Sequence, residues 1–167
     1  LLLEKGADAN AKNKDADTIL FFASQGGHTE VVKLLLEKGA DANAKNKDAD
    51  TALVIASQQG HTEVVKLLLE KGADMNTKAN REVTALMAAS GKGHPEVVKL
   101  LLEKGADMNI KANRGITVLM AASGGGFPEV VKLLLEKGAD MNAKANRVTA
   151  LMMASQVGHA EVVKLLL

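Results

Sequence analysis

The stretch that decides the fold is EVVKLLLEKGAD at residues 63–74, which recurs almost letter for letter from Glu30, Glu96 and Glu129. The glycine of this motif returns every 33 residues, at Gly6, Gly39, Gly72, Gly105 and Gly138. A period of about 20 to 50 residues is typical of units that cannot bury an apolar face alone and therefore stack on their neighbours. The sequence predicts an elongated solenoid with one continuous core.

Composition excludes several classes of protein. The net charge of +1 gives no general attraction to nucleic acid or anionic membranes, and the lack of cysteine excludes disulfides, thiolate nucleophiles and thiolate metal sites. No apolar run approaches the roughly 20 residues that a membrane helix needs. The leucines at 1–3 and 165–167 fall in the same phase as those at 34–36. We therefore expect this sequence to have been cut from a longer array.

Each unit contains signals for two short helices. In the second unit, Thr51 can cap a helix over residues 52–59, and Gly60 can end that helix in the left-handed conformation. A second helix is predicted after His61, because apolar residues at 64, 65, 67, 68 and 69 form a stripe at helical spacing. Pro95 and Pro128 suit the first position of this helix in the next two units.

A polar stretch, such as residues 73–83, separates each helix pair from the next. It is too polar for a buried strand and too long for a tight turn, so two short antiparallel segments projecting sideways as a hairpin would fit. The small residues Ala52 and Ala56 on the first helix let a neighbouring helix approach closely.

The pattern resembles the ankyrin repeat. Residues 51–57 match the TPLHxAA segment of that family and residues 60–69 match its GHxEVVKLLL segment. The resemblance covers essentially the whole chain and implies an all-α repeat solenoid of stacked helix-turn-helix units with projecting β-hairpin loops. It divides a single array, 1–167, into the end of a preceding repeat at 1–12, full repeats at 13–45, 46–78, 79–111 and 112–144, and an incomplete repeat at 145–167.

One departure from the family pattern concerns the framework. The histidine of TPLH is missing from every unit, and its site holds Phe21, Val54, Met87, Met120 or Met152. In the family this histidine helps to tie neighbouring units by hydrogen bonding, so the resemblance implies that apolar contact replaces that link here.

Two further departures concern the hairpin tips. The turn glycine survives only at Gly115, while Ala16, Ala49 and Glu82 stand at its site elsewhere, so we expect those tips to be shaped differently or to be looser. The last unit is one residue shorter between Gly138 and its threonine, and we expect a locally distorted hairpin there.

Motifs that suggest chemistry do not assemble a site. The H-x-E motif at His28 and its copies lacks the C-x-x-C partner of zinc deaminases and predicts a packing and hydrogen-bonding role instead. The stretch from Asp41 lacks the glycine and glutamate of a calcium loop, and the glycines at 91–93 and 124–126 do not fit a phosphate-binding loop. Because the polar residues recur as copies and never converge once, we predict no enzymatic activity, no metal site and no cofactor.

The positions that vary between copies are the best guide to function. In ankyrin-like proteins, hairpin tips and the exposed end of the first helix line a concave groove that meets protein partners. Carried over position by position, this nominates Lys47, Asp48, Asp50, Gln58, Gln59, Asn80, Arg81, Val83, Lys92, Asn113, Arg114, Ile116, Asn146, Arg147 and Gln156.

The tips change charge along the array. The first two units present aspartates at 15, 17, 48 and 50, whereas the later units present arginines at 81, 114 and 147. An elongated partner with the opposite charge order would bind in one orientation. The alternative is that these are solvated tips drifting in duplicated units, since Lys14 and Lys47 reduce the acidity of the early tips.

We therefore predict a non-catalytic module that binds a protein partner, with no nucleic-acid or membrane partner. Balanced charge and the lack of stacking aromatic residues argue against nucleic acid. A structural scaffold that self-associates end to end through uncapped faces is the alternative. Such regular units suit either an engineered or a duplicated natural sequence, and the missing residue in the last unit favours a natural one.

Overall fold

Residues 6–167, the part of the chain that this computed structural model describes, form ten α-helices and no β-strand. The leucines at 1–3 lie outside this range. The first helices of the pairs are α1 (Ile19–Gln25), α3 (Ala52–Gln59), α5 (Ala85–Lys92), α7 (Val118–Gly125) and α9 (Ala150–Val157). The second helices are α2 (Thr29–Glu37), α4 (Thr62–Glu70), α6 (Pro95–Glu103), α8 (Pro128–Glu136) and α10 (Ala160–Leu166).

The helix ends follow the predicted capping signals. The Thr51 hydroxyl accepts a hydrogen bond of 3.3 Å from the backbone N–H of Val54, which satisfies one free donor at the start of α3. Gly60 ends the same helix with a φ of 76°, a conformation that side chains disfavour. Pro95 is the first residue of α6, where its missing N–H costs nothing. These boundary predictions are confirmed.

The helices stack in two layers. Each first helix contacts the next first helix, and each second helix contacts the next second helix, so that the pairs repeat in register. The first helices pack against one another more extensively than the second helices do, and Ala56, Ala89 and Ala122 on α3, α5 and α7 are fully buried. Leu53 and Leu68 belong to the continuous core between the layers. The predicted helical repeat solenoid is confirmed.

Apolar side chains occupy the buried position that a histidine holds in the family pattern. Val54, Met87 and Met120 are all buried between successive pairs, and Met120 is only 1% exposed. Met152, the equivalent residue of the last pair, is 56% exposed. The predicted apolar link is present at the three internal positions.

The loops between pairs are hairpin-shaped but carry no strand in the described range. Backbone hydrogen bonds close each of the full-length tips. In the second unit, Asn46 N donates to Asp50 O and Ala49 N donates to Asn46 O, both at 3.1 Å. From residue 6 onwards, pairing of the β type is limited to two isolated bridges, Lys12 with Thr18 and Ala145 with Val148. The hairpins therefore act as short polar turns rather than as a sheet.

The tips keep the left-handed conformation even where glycine is replaced. Ala16, Ala49 and Glu82 have φ values of 63°, 60° and 60°, beside 81° at Gly115. The expectation of a different shape is wrong for the Glu82 tip, which has two consecutive residues with positive φ like the Gly115 tip, but the Ala16 and Ala49 tips do differ, since only one residue in each has a positive φ. Each non-glycine residue held in this region costs about 1 kcal/mol relative to an ordinary conformation.

The last loop absorbs its missing residue without distortion. Asn146 and Arg147 have φ values of 49° and 70°, and Ala145 and Val148 exchange two backbone hydrogen bonds of 2.9 Å. Two residues with positive φ between such a pair are typical of the tightest mirror-image hairpin turn. The structure thus shows a shortened, regular turn where we expected a distorted one.

Histidines at the helix starts connect successive pairs. The Nε2 atoms of His61 and His94 each lie 3.0 Å from the carbonyl oxygens of Gln25 and Gln58 in the preceding pair. His159 reaches Gly124 O in the same way at 3.2 Å. This confirms the packing and hydrogen-bonding role predicted for the H-x-E motif. Phe127 occupies the equivalent position immediately before α8, and its phenyl ring has no N–H group that could form this hydrogen bond.

Asparagines after the GAD motif form a second connection, which was not predicted from the sequence. The amide of Asn43 donates to Gly72 O at 3.0 Å and accepts from Asp74 N at 2.8 Å, one unit further along. Asn10 makes the same two bonds to Gly39 and Asp41, and Asn76 accepts from Asp107 N at 3.0 Å. A sequence signal for this asparagine connection is the D-x-N triplet, which recurs with the 33-residue period.

One junction lacks both connections. Between the α5/α6 pair and the α7/α8 pair, no hydrogen bond from Asn109 or from residue 127 crosses to the neighbouring unit within residues 6–167. Apolar contacts between α5 and α7 and between α6 and α8 hold this junction.

Candidate protein-binding groove

A pocket of about 360 Å³ lies between the second and third helix pairs, on the side of the array that carries the loop tips. Its lining includes six of the predicted partner-binding residues, drawn from two consecutive tips and the ends of α3 and α5. These six are Asp50, Gln58, Asn80, Arg81, Val83 and Lys92. The remaining lining, from Val54, Ala79, Met87, Ala88 and Gly91, was not predicted as part of a site.

A second pocket of about 510 Å³ continues along the next two tips. It shares Arg81 and Val83 with the first pocket, which makes the two cavities parts of one groove. Predicted residues of the fourth unit, namely Asn113, Arg114 and Ile116, complete its lining with Ala112. The groove therefore presents both guanidinium groups and half-buried apolar side chains.

The remaining predicted residues are exposed but lie outside these two pockets. Lys47, Asp48 and Gln59 belong to the second unit, and Asn146, Arg147 and Gln156 belong to the last one. The structure brings together the central nine of the fifteen nominated residues and leaves these six on the flanks of the groove.

The acidic tips are organised by an asparagine side chain. The Asn46 Oδ1 atom accepts from Asp48 N at 3.0 Å and from Asp50 N at 2.9 Å, and Asn13 does the same for Asp15 and Asp17 in the preceding tip. The Nδ2 atom of Asn46 also donates to the Asp17 carboxylate at 2.8 Å, which joins the two tips. These bonds fix the direction in which the carboxylates project.

The acidity of these tips is partly offset. The Lys47 Nζ atom lies 3.8 Å from an Asp15 carboxylate oxygen, and both side chains are exposed. An exposed pair of this kind contributes little stability, since solvent and salt screen it.

The basic tips have alanine in place of the organising asparagine. Ala79, Ala112 and Ala145 stand at the positions of Asn13 and Asn46. The arginines that follow, Arg81, Arg114 and Arg147, adopt φ values of 60°, 64° and 70°. Each is an exposed residue held in a conformation that favours glycine or asparagine. The side chains of these tips therefore lie on strained backbone.

Asp50 lies where the acidic tips meet the basic ones. Burial of its carboxyl group is the largest cause that raises the pKa of Asp50, and the negative charges of Asp48 and Asp17 act in the same direction. The backbone N–H of Asn80 lowers the pKa in part. Burial therefore disfavours the ionised form of this carboxyl group.

Metal binding and membrane spanning have no candidate among the described residues. Within residues 6–167, no three histidine, aspartate or glutamate side chains lie close enough together to hold a metal ion. Over the same range, every helix is too short or too polar to cross a bilayer.

A family model for ankyrin repeats matches the chain in three copies, over residues 1–79, 44–112 and 86–167. Together these matches span the whole sequence. The chain belongs to the ankyrin-repeat family. Ankyrin repeats are generally non-catalytic scaffolds that serve as protein–protein interaction modules. No characterised protein matches this ankyrin chain with significant similarity.

Proposed function

We propose that the groove of this ankyrin array binds an elongated segment of a protein partner in a single orientation. The observation that carries the proposal is the change of charge along one row of tips, from aspartates at 15, 17, 48 and 50 to arginines at 81, 114 and 147. A partner segment that is basic at one end and acidic at the other would complement this row only in one direction.

The backbone conformation of the arginines supports a role for their side chains. A glycine at each of these positions would adopt the left-handed region without cost, whereas a residue with a Cβ atom does not. Strained residues of this kind cluster at ligand-binding positions, where the side chain serves a function that offsets the strain. The presence of three arginines in this conformation favours the interpretation that the tips bind a partner over the interpretation that they are solvated tips whose sequences have drifted.

The shape of the groove supports an extended partner. Its two pockets share residues and follow consecutive units, so a bound chain would contact the half-buried Val83 and Ile116 while it passes the arginines. Aromatic anchors are lacking because the sequence contains three Phe and no Trp or Tyr. Affinity would therefore come from many modest contacts rather than from one dominant residue.

A peptide with a lysine block at one end and a glutamate block at the other would test this proposal. Arg81, Arg114 and Arg147 would be changed to glutamate in one variant, and the exposed helix lysines Lys66, Lys99 and Lys132 would be changed to glutamate in a control with the same net charge. We expect the arginine variant to bind at least about tenfold more weakly and the control to change by about twofold or less at physiological salt.

Orientation would be measured with a nitroxide label on the glutamate end of the peptide. We expect paramagnetic broadening at the amides around residue 147 and none around residue 15. Equal affinity loss in both variants, or broadening at both ends of the array, would show that the tips do not order the partner.

A further inference from the structure

The junction between acidic and basic tips has a chemistry that no other junction in residues 6–167 shares. The pocket there has a carboxylate from Asp50 and apolar walls from Val54, Val83, Met87 and Ala88. Val54 and Met87 are almost completely buried beneath it, so the apolar walls are fixed by the core. A volume of about 360 Å³ falls within the range of sites that hold a small group.

The Asp50 carboxylate lacks the side-chain donors that its counterpart has. In the preceding unit, the Asp17 carboxylate accepts from the Nδ2 atoms of Asn13 at 3.0 Å and Asn46 at 2.8 Å. The residue that would donate to Asp50 from the following tip is Ala79, and no side chain of residues 6–167 hydrogen bonds to the Asp50 carboxylate. An ionised carboxylate can accept about four hydrogen bonds, so Asp50 retains capacity for a ligand.

The cations that line the same pocket do not neutralise Asp50. Arg81 and Lys92 are exposed, and neither forms an ion pair with Asp50 within the described chain. The charged groups that act on the carboxylate are Asp48 on its own tip and Asp17 on the preceding tip. A positive group placed at the Asp50 carboxylate would therefore gain an ion pair that no side chain of residues 6–167 supplies.

We propose that this junction pocket receives one lysine or arginine side chain of the protein partner, with its aliphatic stem against Val54, Val83 and Met87 and its cationic head at the Asp50 carboxylate. This inference rests on the proposed function, for which it names the anchor residue. Long basic side chains suit such a site because their methylene stems bury readily while the charged head keeps a polar partner.

The pocket would also fix the register of the partner. Val83 and Ile116 stand at the position of Asp50 in the next two units and carry no charge. A cationic side chain of the partner therefore finds no equivalent carboxylate further along towards the basic tips. Acidic residues beyond the anchor would then lie beside Arg114 and Arg147. The partner segment is thus expected to carry a basic residue followed, towards the basic tips, by acidic ones.

The test uses three small probes on the full 167-residue chain with 13C-labelled methyl groups. Nα-acetyl-lysine methylamide carries the stem and the charge, Nα-acetyl-norleucine methylamide carries the stem alone, and Nα-acetyl-glutamate methylamide carries the opposite charge. We expect the lysine probe to give saturable shifts at the Val54, Val83 and Met87 methyls, with a dissociation constant in the millimolar range.

Two variants decide whether Asp50 provides the recognition. We expect Asp50→Asn to weaken binding of the lysine probe at least about fivefold, because the ion pair with the partly buried carboxylate is lost. Glu70→Gln removes the same charge from an exposed position on α4, outside the groove, and should change the affinity by about twofold or less. Thermal unfolding of both variants would verify that the array stays folded.

Three outcomes would overturn the inference: equal binding of the lysine and norleucine probes, unchanged lysine binding in Asp50→Asn, or stronger binding of the glutamate probe. The last outcome would make Arg81 and Lys92 the recognition groups. Failure of the proposed function would be recognised by a different result. In that case the lysine–glutamate peptide would bind equally well to the array whose three arginines are changed to glutamate.

Discussion

Two kinds of tip connect the same helical framework by different physical means. The acidic tips are residues 13–17 and 46–50, and the basic tips are residues 79–83 and 112–116. In the acidic tips an asparagine side chain binds two backbone N–H groups, and one residue per tip has a positive φ. In the basic tips the asparagine is replaced by alanine, and two consecutive residues have positive φ. The acidic tips are thus organised by hydrogen bonds, whereas the basic tips hold strained arginines.

The largest expected effect tests whether the framework is common to both regions. Leu68 of α4 and Leu101 of α6 are equivalent and fully buried. We expect Leu68→Ala and Leu101→Ala each to lower the free energy of unfolding by about 2–5 kcal/mol, with similar losses in the two variants. Urea denaturation would measure both, and the exposed Leu34→Ala would serve as a control that loses less than about 1 kcal/mol. Strongly unequal losses of unfolding free energy would show that the two regions do not share an equivalent framework.

The next effect concerns the asparagine that organises an acidic tip. Asn46→Ala removes the acceptor of two backbone N–H groups and the donor to Asp17. We expect a loss of about 1–3 kcal/mol in the free energy of unfolding, since each such bond contributes about 0.5–1.5 kcal/mol. The exposed Asn80→Ala, in a tip without this network, should cost less than about 0.5 kcal/mol. Equal costs would mean that the asparagine does not organise its tip.

Glycine substitutions sharpen the contrast between strain with and without a function. Ala49→Gly and Arg81→Gly both relieve a φ of 60°, and we expect each to stabilise the array by about 0.5–1 kcal/mol. Only Arg81→Gly should weaken binding of the lysine–glutamate peptide. Calorimetric unfolding and peptide titration on the same samples would separate the two effects. If Arg81→Gly stabilised the array and kept its full affinity for the peptide, the strained conformation of Arg81 would have no role in binding.

The smallest expected effect is the pH dependence at the boundary between the regions. Because the folded array raises the pKa of Asp50, the protonated form favours folding, and this contribution is fully present below the unfolded pKa of about 3.9. It is lost as the pH rises through the folded pKa. We expect Asp50→Asn to have the higher Tm at pH 7 and to lose this advantage towards pH 3.5. A constant Tm difference across this range would contradict the assignment.

Much of the framework could be predicted because helix capping and apolar spacing are local properties. Thr51, Gly60 and the apolar stripe at 64–69 each determine structure within a few residues, and their copies agree. The tip conformations could not be predicted in this way. Ala16 and Glu82 adopt the glycine conformation because the flanking hydrogen bonds and packed helices impose it, which overrides the local preference of the residue.

The candidate groove was predictable only in outline. Its charged and exposed members differ between copies and could be nominated from the sequence. Val54 and Met87 could not be assigned to it, because the same side chains serve as core residues and as pocket walls. The distinct state of Asp50 depends on Ala79, a residue 29 positions away whose effect is visible only once the two tips are adjacent.

The junction between α5/α6 and α7/α8, which lacks both the histidine and the asparagine connections, has a consequence for cooperativity. In a repeat array, stability is approximately a sum of unit terms and interface terms, so the whole array unfolds together only while every interface is strong. Within residues 6–167, neither the histidine bond nor the asparagine bond couples the last two helix pairs to the rest. We therefore expect the part from α7 onwards to open as a separate unit, and amide hydrogen exchange there would show subglobal opening before the N-terminal pairs unfold.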